Sequence, residues 1–179
     1  MVAPTDVWAV GFWQDPTSLY LMPLVEHWDG VQWTIVPTPD LASRSAELDS
    51  VVRTGTHVWA VGDRWGKHSP FTLVERLTAK GTWKVVPSPN APDSDQNFLA
   101  SITAVPGGLW AVGYDYGLDA TYDPVVMKWD GSTWTLVPTP SIGLPAQLFG
   151  ASTLQGDLIA VGDDGDGGTT KTLVERGTG

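Results

Sequence analysis

The chain has 179 residues, a net charge of −10, ten Trp, 20 Gly, 14 Pro and no Cys. That length suits one domain with a sizeable core, and the Trp content excludes a disordered chain. The acidity excludes nucleic acid as a partner, the lack of Cys excludes disulfides and thiolate chemistry, and no apolar run approaches the ~18 residues of a membrane span.

In chain order, the first apolar run is "DVWAVG" at Asp6–Gly11. A variable stretch leads to "LVEHWDG" (Leu24–Gly30), and "WTIVPTP" (Trp33–Pro39) follows. A new phrase, "LDSVV" (Leu48–Val52), then precedes a second round: "HVWAVG" (His57–Gly62), "LVERLTA" (Leu73–Ala79) and "WKVVPSP" (Trp83–Pro89). The third round is "LASITAV" (Leu99–Val105), "GLWAVG" (Gly108–Gly113), "VVMKWDG" (Val125–Gly131) and "WTLVPTP" (Trp134–Pro140). The fourth is "LFGASTL" (Leu148–Leu154), "DLIAVG" (Asp157–Gly162) and "LVERGTG" (Leu173–Gly179). Trp8, Trp59, Trp110 and Ile159 mark a period of 51, 51 and 49 residues.

Each phrase is short, rich in β-branched and aromatic residues and bounded by Gly, Pro, Asp or Asn, which predicts strands. They are named A ("LASITAV"), B ("WAVG"), C ("LVER") and D ("WTLVPTP") here. No segment keeps a 3.6-residue apolar period, so no helix is expected. The fold class is all-β: a β-propeller of about four four-stranded antiparallel blades in one domain, 1–179. The repeats run about 1–47, 48–97, 98–147 and 148–179, the first and last incomplete, with Met1–Ala3 at most a stub of the first A strand. Trp8, Trp59, Trp110, Trp33, Trp83 and Trp134 are expected between blades. Glu26, Glu75 and Glu175 on strand C are expected to form a repeated hydrogen-bonded or ion-paired position, taken by Lys128 in the third unit.

The order of strands within "LASITAVPGGLWAVGYDYG…VVMKWDGSTWTLVPTP" resembles kelch-type blades. Here the Gly-Gly doublet is reduced to Val-Gly plus a variable residue (Phe12, Asp63, Tyr114, Asp163), and Trp28 or Trp129 replaces the Tyr of the third strand. The turn Asp130–Trp134 is similar to the Asp-box of sialidase propellers, with a different spacing. The resemblance implies a ring of blades whose loops carry the function.

A–B and C–D links are short, whereas B–C and D–A links are long and differ between units, so one face concentrates the variation. Phe12, Trp13, Trp65, Tyr114 and Tyr116 on B–C loops are the candidate ligand-binding residues, able to stack on a sugar or anchor a protein. Their alternative role is packing over their own blades. No cofactor is expected; calcium is the one candidate, at Asp163, Asp164 and Asp166, and a solvated acidic loop is the alternative. His27, His57 and His68 lack metal-ligand spacing and no nucleophile motif is present, so no catalytic residue is named and the chain is expected not to be an enzyme. Expected function is a non-catalytic binding module for a carbohydrate or protein, or a recently amplified scaffold without a ligand. Missing strands at both ends predict a homo-oligomer, a dimer of about eight blades, with a closed four-blade ring or a propeller fragment as alternatives. The compartment, extracellular or cytoplasmic, is not legible.

Overall fold

The structure, a computed structural model, describes residues 5–41, 45–140, 145–165 and 170–177. The expected stub at Met1–Ala3 and the candidate ligand Asp166 lie outside them. Among the described residues every regular element is a strand. The first sheet holds β1 (Val7–Gln14), β2 (Leu21–Trp28) and β3 (Trp33–Ile35). The second holds β4 (Ala46–Thr54), β5 (His57–Trp65), β6 (Pro70–Leu77) and β7 (Trp83–Val85). The third holds β8 (Ser94–Val105), β9 (Gly108–Gly117), β10 (Tyr122–Trp129) and β11 (Trp134–Leu136). The fourth holds β12 (Ala146–Leu154), β13 (Asp157–Gly165) and β14 (Thr170–Gly177). These are four antiparallel blades: B-C-D, A-B-C-D, A-B-C-D and A-B-C.

The A strands of neighbouring blades approach one another, while each D strand pairs with its own C strand, so A is innermost and D outermost. Pro37, Pro87 and Pro138 follow directly on the D strands and their final Val, where a missing donor costs nothing. The D–A stretch Asn90–Asn97 is not all loop: β8 starts at Ser94, because Asn97 and Ser94 hydrogen-bond to each other and the strand continues its pairing with β9.

Blades are held together by alternation. Trp59, Val61 and Val74 of the second blade pack on Leu109, Ala111, Val125, Met127 and Trp134 of the third. Equivalent sets fill the junctions of blades one and two and of blades three and four. Burial of such sets is the main stabilising contribution. The A strands add a repeated hydrogen bond across junctions: Ile102 N–H donates to Ser50 Oγ (3.2 Å), and Ala151 N–H to Ser101 Oγ (3.1 Å).

The B-strand glycine has a steric origin. A Cβ on Gly62, Gly113 or Gly162 would lie 2.1, 2.0 or 1.8 Å from the carbonyl oxygen of Glu47, Phe98 or Gln147 on the neighbouring A strand. Gly11, with no A strand beside it among the described residues, meets nothing within 4 Å.

Three expectations need correction. Trp33 is 48% exposed rather than buried, because the first blade has no blade before it. Lys128 does not occupy the Glu position: Met127 pairs with Ala111 as Glu75 pairs with Ala60. Lys128 instead lies over the Trp110 ring, as Arg76 lies over Trp59, each at 5.2 Å. Nor is the Glu75 position hydrogen-bonded; Glu75 is 0% exposed and neither carboxylate oxygen has a partner. Burial pushes its pKa up to about 7.

Candidate functional site

The site forms where the second blade meets the B–C and D–A face. Glu47, the second residue of β4, lies directly opposite Asp63 near the end of β5. A β-bulge between Leu48 and Ser50 leaves Asp49 without a partner on β5. It can form because Gly62 has no side chain to keep the Glu47 carbonyl away. Glu47, Asp49 and Asp63 thereby bring one carboxylate oxygen each to within 4.8 Å of one another.

Asp63 is 2% exposed and its Oδ2 has no hydrogen-bond partner, while Asp49 is open to solvent. Burial raises the Asp63 pKa to about 7, with the Glu47 and Asp49 charges adding to it. Although the Asp49 residue is exposed, the protein packed around its carboxyl displaces part of its water and, with the Glu47 charge, raises its pKa to about 6. Among the described residues no Lys or Arg forms an ion pair with any of the three. Such a set can accept several hydroxyl hydrogens at once or surround a hard cation.

The third and fourth blades supply an aromatic wall. Tyr114 lies 4.9 Å from Phe98, 5.8 Å from Tyr122 and 5.9 Å from Phe149, between ring centroids. Tyr116 lies 5.0 Å from Tyr122. Burial raises the Tyr114 hydroxyl pKa, with the negative charges of Asp63, Asp49 and Glu47 of the neighbouring blade contributing. Phe149 holds the bulge position that Asp49 holds in the second blade, and it is exposed.

Of the candidate aromatics, the structure brings Tyr114 and Tyr116 together through Tyr122. Phe12, Trp13 and Trp65 stand exposed at the same ends of their B strands, without ring contacts among the described residues. Asp163 and Asp164 pair across β13 and β14 with Thr172 and Lys171. The described three-carboxylate group is the one in the second blade instead. Sequence reasoning missed it because strand pairing alone joins Glu47 to Asp63. The usable signal was Gly62: setting it opposite Leu48 forces that pairing.

The turn Asp130–Trp134 is structural. Asp130 Oδ1 accepts from the backbone N–H of Ser132 (2.8 Å) and Thr133 (2.9 Å), and Gly131 takes a φ of 102°. These donors, that of Thr133 first, hold the Asp130 carboxyl well below the usual range.

No protein-family profile and no curated relative matches the chain. Among solved structures it is similar to a Trypanosoma rangeli sialidase in complex with sialic acid, at TM-score 0.62 and 16% identity. The match covers 96% of this chain and 34% of the sialidase, so the chain spans about a third of that protein's length. The likeness supports the propeller fold. It also corrects the expectation that the chain is not an enzyme: the fold is one on which an enzyme is built. The carboxylates with raised pKa values meet across two strands, a grouping that no linear motif displays.

Proposed function

We propose that this chain is a carbohydrate-binding propeller module that completes its ring with a second copy. The carboxylate trio beside the Tyr114 wall carries the binding part. Carboxylates accept hydrogen bonds from sugar hydroxyls while aromatic faces cover the apolar side of the ring. Phe12, Trp13 and Trp65 extend the stacking surface across the first two blades, and Tyr116 supports the wall. The sialidase it resembles holds an anionic sugar; here the uncompensated carboxylates repel an anion, so a neutral glycan is the ligand class. The kelch-like order of strands supports the same division of labour, with a repetitive scaffold below and variable loops above.

Titration of neutral and sialylated oligosaccharides, followed by calorimetry and Trp fluorescence, tests this. Neutral glycans are expected to bind, with Asp49→Asn weakening affinity about tenfold, the scale of a hydrogen bond to a charged acceptor. Trp65→Ala is expected to remove the fluorescence response. No binding of any neutral glycan, or a preference for sialylated ones, would overturn the reading.

The blade faces carry the second part. Val161 and Val174 of the fourth blade repeat Val61 and Val74, yet they are exposed. At the other end Trp33 and Ile35 repeat Trp134 and Leu136, and Ile35 is 70% exposed. Inside the chain these residue sets are the two halves of one interface, and a second copy offers each half its complement in a head-to-tail arrangement.

A further inference from the structure

Two junctions share a device that the third lacks among the described residues. Trp83 of β7 meets Trp8 edge-on at 5.8 Å, and Trp134 of β11 meets Trp59 edge-on at 6.0 Å. In each case an outer strand places its indole on the B-strand indole of the preceding blade. The same strands are tied in by a second repeat: the N–H groups of Val36, Val86 and Val137 donate to the carbonyls of Val25, Val74 and Val126, each at 2.8 Å. These valines stand three residues after their Trp and directly before Pro, giving the pattern Trp-x-x-Val-Pro.

Between the third and fourth blades the described residues supply no such strand. A groove of about 580 Å³ lies there instead, lined by Trp110, Val126, Leu158, Leu173, Val174 and Gly177 among others. Trp110 holds the repeat position of Trp8 and Trp59, and its Nε1 has no acceptor. Val174 holds the position of Val25, Val74 and Val126, and among the described residues β14 pairs only with β13, which leaves its outer edge open.

We propose that this groove takes an extended segment of the pattern Trp-x-x-Val-Pro as the outer strand of the fourth blade. Its indole would lie on Trp110 and its Val N–H on the Val174 carbonyl, while the Pro ends the pairing. The described segments of this pattern are already engaged as β3, β7 and β11 in their own blades, so the occupant is a further segment of the same pattern. The groove extends an interface whose other two instances are filled, which defines both the pocket and what fits it.

The test uses a fluorescein-labelled synthetic peptide of the sequence Ser132–Pro140, titrated with the whole protein and followed by anisotropy. Saturable one-to-one binding is expected, and a peptide with Trp134→Ala should bind about tenfold more weakly. In the protein, Val174→Pro removes the edge N–H beside the accepting carbonyl. It leaves the bonds to β13 in place, since both polar groups of one antiparallel residue point the same way. This variant should weaken the parent peptide comparably. Absence of saturable binding, equal binding of the Ala peptide, or indifference of a folded Val174→Pro protein would each overturn the proposal. The peptide comparison leaves the protein unaltered and decides the matter even where that variant fails to fold.

Discussion

Gly113→Ala is expected to destabilise the protein by about 3 kcal/mol, lowering the melting temperature by roughly 6–12 °C for a chain of this size. The added Cβ would sit 2.0 Å from the Phe98 carbonyl oxygen and 2.9 Å from the Leu99 Cα, both backbone atoms, so no rotamer change relieves the clash. Strand β8 would have to move away from β9, opening the junction where Leu99 packs against Val61 and Val74. Gly62→Ala is expected to behave alike, since its Cβ would lie 2.1 Å from the Glu47 carbonyl, and it would also spread the carboxylate trio. Gly11→Ala, at the same place in the repeat, should be neutral or stabilising by a few tenths of a kcal/mol, because it meets nothing and narrows the unfolded ensemble. Thermal melts of the three variants check this. Equal losses at Gly11 and Gly113 would mean that the phrase keeps its Gly for some reason other than the inner strand.

Glu75→Gln is expected to stabilise the protein by about 2–3 kcal/mol at pH 8 and to change little at pH 4. Glu75 is fully buried, lies in the junction of the first two blades and has no partner for either oxygen. Its pKa rises from an ordinary 4.5 to about 7 on folding. The folded state therefore keeps a proton that the unfolded state has lost between about pH 4.5 and 7, and stability falls as pH rises through that window. At 1.36 kcal/mol per pH unit the whole effect is about 3 kcal/mol, constant above pH 7. Gln removes the charge and leaves a buried amide, which sets the lower end of the gain. Denaturant melts of both proteins from pH 4 to 9 measure it, and parallel profiles would rule out Glu75 as the source of the slope.

The repeat made most of the fold legible. Four recurrences of one phrase set the blades, and β-branched and aromatic content with bounding Gly and Pro set strands rather than helices. The ends were legible in kind but not in consequence: Trp33 occurs in the same phrase as Trp83 and Trp134, and only its lack of a neighbouring blade exposes it. Likewise Ile159 in place of Trp leaves Arg176 without a ring to cover, and it pairs with Asp157 instead. The Glu position was misaligned by one residue, because "VVMK" resembles "LVER" in charge at its end but carries Met127 where the others carry Glu. The carboxylate trio was illegible because it depends on a bulge at Asp49 and on strand register, two things that period and composition do not encode. Loop aromatics were visible, but which of them form a wall was decided by Phe149, which the repeat had assigned to a strand, and by Phe98, which lies just before the predicted strand Leu99–Val105.

The direct test of an arc that closes through its two end faces is absolute mass by light scattering coupled to size exclusion, over a dilution series. A mass of twice 19.2 kDa that persists on dilution is predicted for the parent chain. A shift to 19.2 kDa is predicted for Val161→Arg, which places a charge in the centre of the exposed face of the fourth blade. A parent chain of 19.2 kDa at every concentration would contradict closure by a second copy.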